Sequence, residues 1–130
     1  TPGVQMGFTT GTPWLPLAGE HRGLSVEEQE ADPESALAFS RAMIAFRNGS
    51  AALRLGDIDF VAMAEPVLGF VRTHGDERIL CLFNFSDEPR FVEHSILETA
   101  SLEPVRAGDA DQRGASIGLA PHAAVFLRLA

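Results

Sequence analysis

The residues after Leu55 alternate between apolar and polar side chains with a period of two, and this pattern restricts the fold more than any other feature. Turn residues interrupt the alternation about every ten positions, which is typical of short strands joined by tight turns. The strongest predicted strands are residues 58–63, 67–73, 78–85 and Arg90–Glu93. Weaker strands are predicted at Ser95–Leu97, 102–105 and Ser116–Leu119, with a last strand at 123–129. We therefore predict a mainly β fold, a compact antiparallel β-sandwich of about six to eight strands.

Within this pattern, residues 79–83 are apolar on both faces, which indicates a central strand buried on two sides. The final segment instead alternates with Arg128, as a half-exposed strand would. Residues 106–114 are rich in Gly and Asp, and we predict an exposed loop there.

One amphipathic helix is predicted before the strands, within residues 32–50. Asp32 is its expected N-cap, Pro33 occupies the first helical position, and Asn48 and Gly49 mark its end. Apolar side chains recur at spacings of three and four and form one wide stripe: Ala36, Phe39, Met43 and Phe46. A stripe of this width must pack against another surface.

The first 31 residues are rich in Pro and Gly and show no periodicity, so we predict a long loop. Such loops are uncommon in compact domains unless they serve a site or lie against another domain. The predicted organisation is thus a loop (1–31), a helix (32–50) and a β-sandwich (51–130). Because the chain starts with Thr1 and not with Met, we expect it to be part of a longer protein.

Charge and composition exclude several partners. The net charge of −8 repels a phosphate backbone, so nucleic acid is not an expected partner. No apolar run approaches the ~20 residues that a membrane span requires, so no membrane association is expected. The single cysteine, Cys81, lies in an apolar segment and is interpreted as a buried structural thiol, which favours a reducing compartment.

No catalytic, metal-ligating or cofactor-binding residue is predicted. The four histidines are scattered without ligand spacing, and the carboxylate pairs Asp57/Asp59 and Asp109/Asp111 do not lie in a calcium-loop pattern. Only two aromatic residues of the loop, Phe8 and Trp14, are candidate contact residues. Each has the flat face to stack on a sugar ring, or the apolar area to pack against a neighbouring domain.

Three blocks, in this order, resemble the C-terminal end of α-glucosidases and oligo-1,6-glucosidases of the α-amylase superfamily. They are GFTTGTPWLPL (7–17), ADPESALAFSRAMIAFR (31–47) leading to ALRLGDIDF (52–60), and LCLFNFSDEP (80–89). In that family a (β/α)8 barrel is followed by an antiparallel β-sandwich. The resemblance implies that 1–31 is a barrel loop, 32–50 the last barrel helix and 51–130 the C-terminal domain.

The resemblance also implies a function. The family's retaining mechanism uses carboxylates on barrel loops that precede this region, so the chain would be a noncatalytic part of an enzyme acting on α-glucosidic oligosaccharides. Its partner would be the catalytic barrel of the same polypeptide, in the bacterial cytoplasm, with no cofactor. Alternatives are a sucrose- or maltose-acting transglycosylase or isomerase, and an independent carbohydrate-binding module that uses Phe8 or Trp14. Without its partner the chain is expected to dimerise through Phe39, Met43 and Phe46.

Overall fold

The computed structural model describes residues 5, 9–16, 18–21 and 23–130. These residues divide into two compact units, Thr1–Ile44 and Ala45–Ala130, which are described separately. Helix α2 (Ala36–Gly49) contributes its first turns to the first unit and its last turn to the second.

The first unit contains a 3₁₀ turn at Gly19–His21, helix α1 (Val26–Ala31) and the beginning of α2. Helix α1 corrects the loop prediction for its residues. Ser25 caps α1 by accepting a hydrogen bond from the Glu28 amide (3.3 Å), while its hydroxyl donates to Glu28 Oε2 (2.7 Å). This Ser-x-x-Glu pattern is a signal for the start of a helix. Because α1 has only six residues, it is too short to show a helical periodicity, and the capping pattern is its main signal in the sequence.

The predicted amphipathic helix is present, but its expected N-cap is wrong. Asp32 accepts from the Glu34 amide (2.9 Å) and stabilises a turn before the helix. Ser35 is the residue that caps α2, because its hydroxyl oxygen accepts from the Ala38 amide (3.2 Å) and its hydroxyl donates to the Gln29 carbonyl (2.6 Å). The helix ends at Gly49, as predicted.

The second unit begins with helix α3 (Ala51–Leu55), which the sequence pattern did not predict, and continues with eight strands within the described residues. Their bounds are β1 Asp57–Val61, β2 Val67–His74, β3 Glu77–Asn84, β4 Arg90–Glu93, β5 Ser101–Leu102, β6 Ala110–Arg113, β7 Ser116–Leu119 and β8 Ala124–Arg128. The larger sheet has the order β1-β2-β3-β8-β5 and the smaller sheet β4-β7-β6, and all pairs are antiparallel. The predicted antiparallel β-sandwich of six to eight strands is confirmed.

Three local predictions in this unit are wrong. Ser95–Leu97 is a 3₁₀ helix and not a strand, because His94 Nδ1 accepts from the Ile96 amide (3.1 Å) and caps a turn. The strand expected at 102–105 is only Ser101–Leu102, an edge strand paired with β8. The loop expected at 106–114 contains β6, which forms a hairpin with β7 across a turn where Gly114 has φ 59°.

The core lies between the two sheets. Alternate residues of both sheets point inward and pack as one cluster, since successive side chains of a strand face opposite sides. Its main members are Val71, Leu80, Leu82, Val125 and Leu127 from the larger sheet and Val92, Ile117 and Leu119 from the smaller one. Strand β3 lies between β2 and β8, and Ile79 and Cys81, on its opposite face, are also buried. The prediction of a central strand buried on both sides is confirmed.

Candidate functional site

A set of phenylalanines lies on the face of the larger sheet that points away from the core. The register places Phe60 opposite Phe70, Phe70 opposite Cys81, and Cys81 opposite Phe126, so these side chains form one row across four strands. Neighbouring rings are in contact, with centroids 5.4 to 6.3 Å apart. We name this surface the aromatic face; its members are Phe46, Phe60, Phe70, Phe83, Phe85 and Phe126.

The aromatic face is covered at one end only. Phe46, from the last turn of α2, packs on Phe126 with ring centroids 5.4 Å apart, and Phe126 is only 6% exposed. At the other end Phe60 is 72% exposed and Phe85 67% exposed, and the neighbouring Ile58 is also exposed. Contiguous exposed apolar surface of this kind makes the open end of the aromatic face a candidate site for contact with another surface.

Helix α3 packs against β2 and β3 and is fixed to the sheet by a charged cluster. Glu77 Oε2 accepts from the buried Ala52 amide (2.8 Å), and Glu77 Oε1 lies 3.2 Å from Arg128 Nη1. Arg128 Nε also donates to Glu103 Oε1 (2.8 Å). The amide of Ala52 lowers the pKa of Glu77, and the Ser50 hydroxyl and Arg128 add to this effect against the opposing effect of burial. We name Glu77, Arg128 and Glu103 the Glu77 cluster.

The connection from α3 to β1 is also tightly held. Arg72 Nη2 donates to the Gly56 carbonyl (2.7 Å). A Cβ at Gly56 would overlap the Ala52 carbonyl oxygen and would lie 2.7 Å from the Thr73 carbonyl oxygen. Glycine is therefore required here by space, since its φ of −69° is open to other residues. These contacts hold α3 and the start of β1 against the larger sheet.

Of the two aromatic residues that the sequence singled out, only Trp14 is described by the structure, and it lies in the first unit. Trp14 is 90% exposed. Phe8 lies outside the described residues. Of the residues expected to form a dimer face, Phe39 is 41% exposed and Met43 is half-buried, whereas Phe46 is engaged by Phe126 of the same chain.

Cys81 lies on the aromatic side of β3 and is buried. Burial raises the pKa of its thiol to about 12, so the thiolate that a nucleophile requires is not formed at neutral pH. The interpretation of Cys81 as a structural thiol agrees with this environment. Among the described residues, no group of three or more His, Cys, Asp or Glu side chains is arranged to hold a metal ion.

Sequence reasoning missed the aromatic face. Its signals were the spacing of two between Phe83 and Phe85 and the apolar side chains of β1 at Ile58 and Phe60. A strand with apolar residues on both faces predicts burial on both faces. The sequence alone does not indicate that one of these faces is left partly uncovered.

Comparison with known proteins relates the chain to carbohydrate-active enzymes. No family model matches it. It is 44% identical over 99 residues to a probable α-glucosidase of Rhizobium meliloti (strain 1021). The aligned segment covers 76% of this chain and 17% of the relative. It is 34% identical over 87 residues to probable oligo-1,6-glucosidase 2 of Bacillus subtilis (strain 168), covering 66% of this chain and 16% of the relative. The chain therefore corresponds to less than a fifth of the length of these relatives.

A solved structure shares the fold. The crystal structure of the α-glucosyl transfer enzyme XgtA superposes with a TM-score of 0.84 at 37% sequence identity, over 96% of this chain and 23% of that enzyme. In the part of the chain that the structure describes, no helix has both the length and the apolar character to cross a membrane.

Proposed function

The chain is related in sequence and fold to the C-terminal region of α-glucosidases of the α-amylase family, and from this premise we propose that it is the noncatalytic C-terminal part of an α-glucosidase-type glycoside hydrolase. Its role is to cover and stabilise a catalytic (β/α)8 barrel of the same polypeptide. The barrel supplies the carboxylates of a retaining mechanism on α-glucosides. The bacterial relatives support a bacterial cytoplasmic enzyme.

The observation that carries this proposal is the uncovered end of the aromatic face. Phe60 and Phe85 are each more than two-thirds exposed, although both rings contact another ring of the same face. Isolated exposed apolar residues are common on protein surfaces, but a joined set on one side of a sheet is unusual for a surface that meets only water. A domain packed against this face would remove both rings from water.

Trp14 supports a second contact with the barrel. A tryptophan that is 90% exposed in the first unit has most of its apolar area available for a partner. We propose that Trp14, together with Phe8, contacts the barrel or the sugar at its active face. The same residues would be the platform of an independent carbohydrate-binding module, which is the alternative from a different functional class.

A second enzymatic function is favoured by one observation. The solved structure with the TM-score of 0.84 is described as an α-glucosyl transfer enzyme. A transglycosylase or isomerase acting on sucrose or maltose therefore remains the alternative for the whole polypeptide. The role proposed for this chain is the same in either enzyme, because the residues that choose between hydrolysis and transfer would lie in the barrel.

The decisive experiment removes the exposed phenylalanines of the aromatic face in the full polypeptide. We expect Phe60→Ala combined with Phe85→Ala to lower the melting temperature and to shorten the half-life of glucosidase activity at elevated temperature. Glu98→Ala is the control, since Glu98 is an exposed residue that does not belong to the aromatic face. Equal effects of the two variants, or no effect of the double variant, would contradict the proposed barrel contact.

Two measurements on the 130-residue chain test the alternatives. Titration with maltose or isomaltose, followed by Trp14 fluorescence, should give no saturable change if Trp14 contacts a barrel and not a sugar. We also propose that the chain by itself associates through apolar side chains of α2, including the exposed Phe39 and the half-buried Met43. Sedimentation that shows only monomer at high concentration would refute this association.

A further inference from the structure

Phe91 lies on the outer face of the smaller sheet, away from the aromatic face. It stands opposite Gly118 on β7, and Gly118 stands opposite Asp111 on β6, so the three residues form a row across the sheet. A Cβ at Gly118 would lie 3.1 Å from Phe91 Cε1 and 3.5 Å from its Cδ1. The ring therefore leans over the glycine towards β6. It nevertheless remains 82% exposed, so a large part of its surface is open to a ligand.

Polar side chains border this ring on the same face. In the next outward row, Glu93 stands opposite Ser116, and Ser116 opposite Arg113. Arg113 donates from Nε (2.9 Å) and Nη2 (2.7 Å) to Asp111 Oδ2, and Ser116 Oγ donates to Glu93 Oε1 (3.3 Å). Each carboxylate is thus oriented by a neighbour and keeps acceptor capacity for further hydrogen bonds.

The chemistry of this surface restricts its ligand. Asp111 and Arg113 neutralise each other, and Glu93 leaves a local charge of about one negative unit. This negative charge disfavours an anion such as a phosphate or a nucleic acid. A lipid surface requires a wider apolar area than one phenylalanine provides. A neutral molecule with one flat apolar face and a rim of hydroxyl groups matches both the ring and its border.

We propose that Phe91, Asp111, Arg113 and Glu93 form a surface binding site for a glucopyranosyl unit of an α-linked oligosaccharide. The C–H face of the sugar packs on the Phe91 ring, and its hydroxyl groups donate to Asp111 and Glu93 or accept from Arg113. The choice of an α-linked glucoside rests on the proposed function, whereas the site itself rests on the geometry of the smaller sheet. Such a site would hold a substrate chain on the enzyme surface at a distance from the reacting bond.

A purely structural role for Phe91 predicts a different result. Aromatic rings that cover a strand glycine can stabilise a sheet by shielding its backbone. In that case the native chain binds no sugar at this surface, and the only effect of Phe91→Ala is a lower melting temperature. In the proposed site, Phe91→Tyr keeps the flat ring and retains sugar binding, whatever its effect on stability.

The test is an amide-detected NMR titration of the 130-residue chain with maltotriose and isomaltotriose. We expect saturable shifts confined to β4, β6 and β7, with a dissociation constant on the order of millimolar. Phe91→Ala should weaken binding by roughly tenfold or more, since stacking on an aromatic ring is its main contact. Asp111→Asn should weaken it less, and Phe85→Ala, which removes an exposed ring of the other sheet, should leave it unchanged.

The proposal is overturned if no amide shifts saturate, if Phe91→Ala binds as tightly as the native chain, or if cellotriose binds and the α-linked sugars do not. Shifts at β4 that depend on protein concentration and not on sugar would identify a contact between two copies and would also overturn it. These outcomes are independent of the barrel contact, which is tested through Phe60 and Phe85 in the full polypeptide. Either proposal can therefore fail without the other.

Discussion

The Glu77 cluster provides a prediction about stability. In Glu77→Ala, the Ala52 amide loses its acceptor while Ala52 remains fully buried. An unsatisfied buried donor costs about 1–3 kcal/mol. Loss of the contact with Arg128, which is half-exposed, adds about 0.2–1 kcal/mol. We therefore expect the free energy of unfolding of the second unit to fall by about 1–4 kcal/mol.

Urea denaturation followed by circular dichroism measures this change. Glu77→Gln is the informative companion, because its amide oxygen can still accept from the Ala52 N–H while the charge is lost. It should cost about 1 kcal/mol, the difference between a charge-assisted and a neutral hydrogen bond. The control is Glu98→Ala, an exposed carboxylate for which a change within about 0.5 kcal/mol is expected.

The pH dependence gives an independent check of the same reasoning. The pKa of Glu77 is lower in the folded chain than its ordinary value of 4.5, so the folded state favours the carboxylate. Its contribution to stability is then fully present above pH 4.5 and is lost as the pH falls through the lower folded pKa. The stability difference between the native chain and Glu77→Gln should accordingly shrink in acid. A difference that stays constant from neutral to acidic pH, or a Glu77→Ala variant as stable as the control, would refute the reasoning.

Three further predictions concern Asn84, Gly56 and Cys81. Asn84→Ala should lower the free energy of unfolding by about 2–4 kcal/mol. The Asn84 side chain is only 2% exposed, donates to two backbone carbonyls (2.8 and 2.9 Å) and accepts from a backbone amide (3.0 Å). Denaturation midpoints measure this change, and an unchanged midpoint would contradict it. Gly56→Ala should be destabilising because its Cβ has no space, whereas Gly49→Ala, where nothing lies within 4 Å, should be neutral or slightly stabilising; equal midpoints for the two variants would contradict the steric argument. Cys81 should resist a thiol reagent at pH 8 in the folded chain and react in denaturant, since burial raises its pKa to about 12; rapid reaction of the native chain would show that the strand opens.

Most of the fold could be predicted because its strongest signals are local. Strand β2 alternates between buried and less buried residues because one of its sides faces the core, whereas β3 and β8 are continuous apolar runs with buried residues on both faces. The Gly and Asp residues around β6 predict a loop, and one of the inward residues of this strand is polar. Gln112 points inward and donates from Nε2 to the carbonyls of Leu97 (3.1 Å) and Ala100 (2.8 Å). Those acceptors are more than ten residues away, so no local pattern could indicate that this glutamine is satisfied inside the sandwich.

The candidate surfaces were less predictable than the fold, for a related reason. Sequence periodicity shows which residues share a face of a strand, but the cover of that face depends on distant elements. Phe126 is shielded by Phe46 of α2, while Phe60 and Phe85, on the same side of the sheet, are exposed. Trp14, the one loop aromatic that is both predicted and described, stood out by its rarity and by its place between prolines, and not by any periodicity.

The two exposed aromatic surfaces of the second unit differ in what surrounds each ring, and this difference separates their proposed partners. Phe60 and Phe85 each contact another ring, so that a partner would meet continuous apolar area, which favours a protein surface. Phe91 contacts no other aromatic ring among the described residues and is bordered by oriented carboxylates and a guanidinium group. A protein partner at Phe91 would have to desolvate these charges, and the free energy of that desolvation exceeds the gain from burying one aromatic ring. A sugar would exchange water for its own hydroxyl groups at the same positions, so the polar border that disfavours a protein partner favours a carbohydrate.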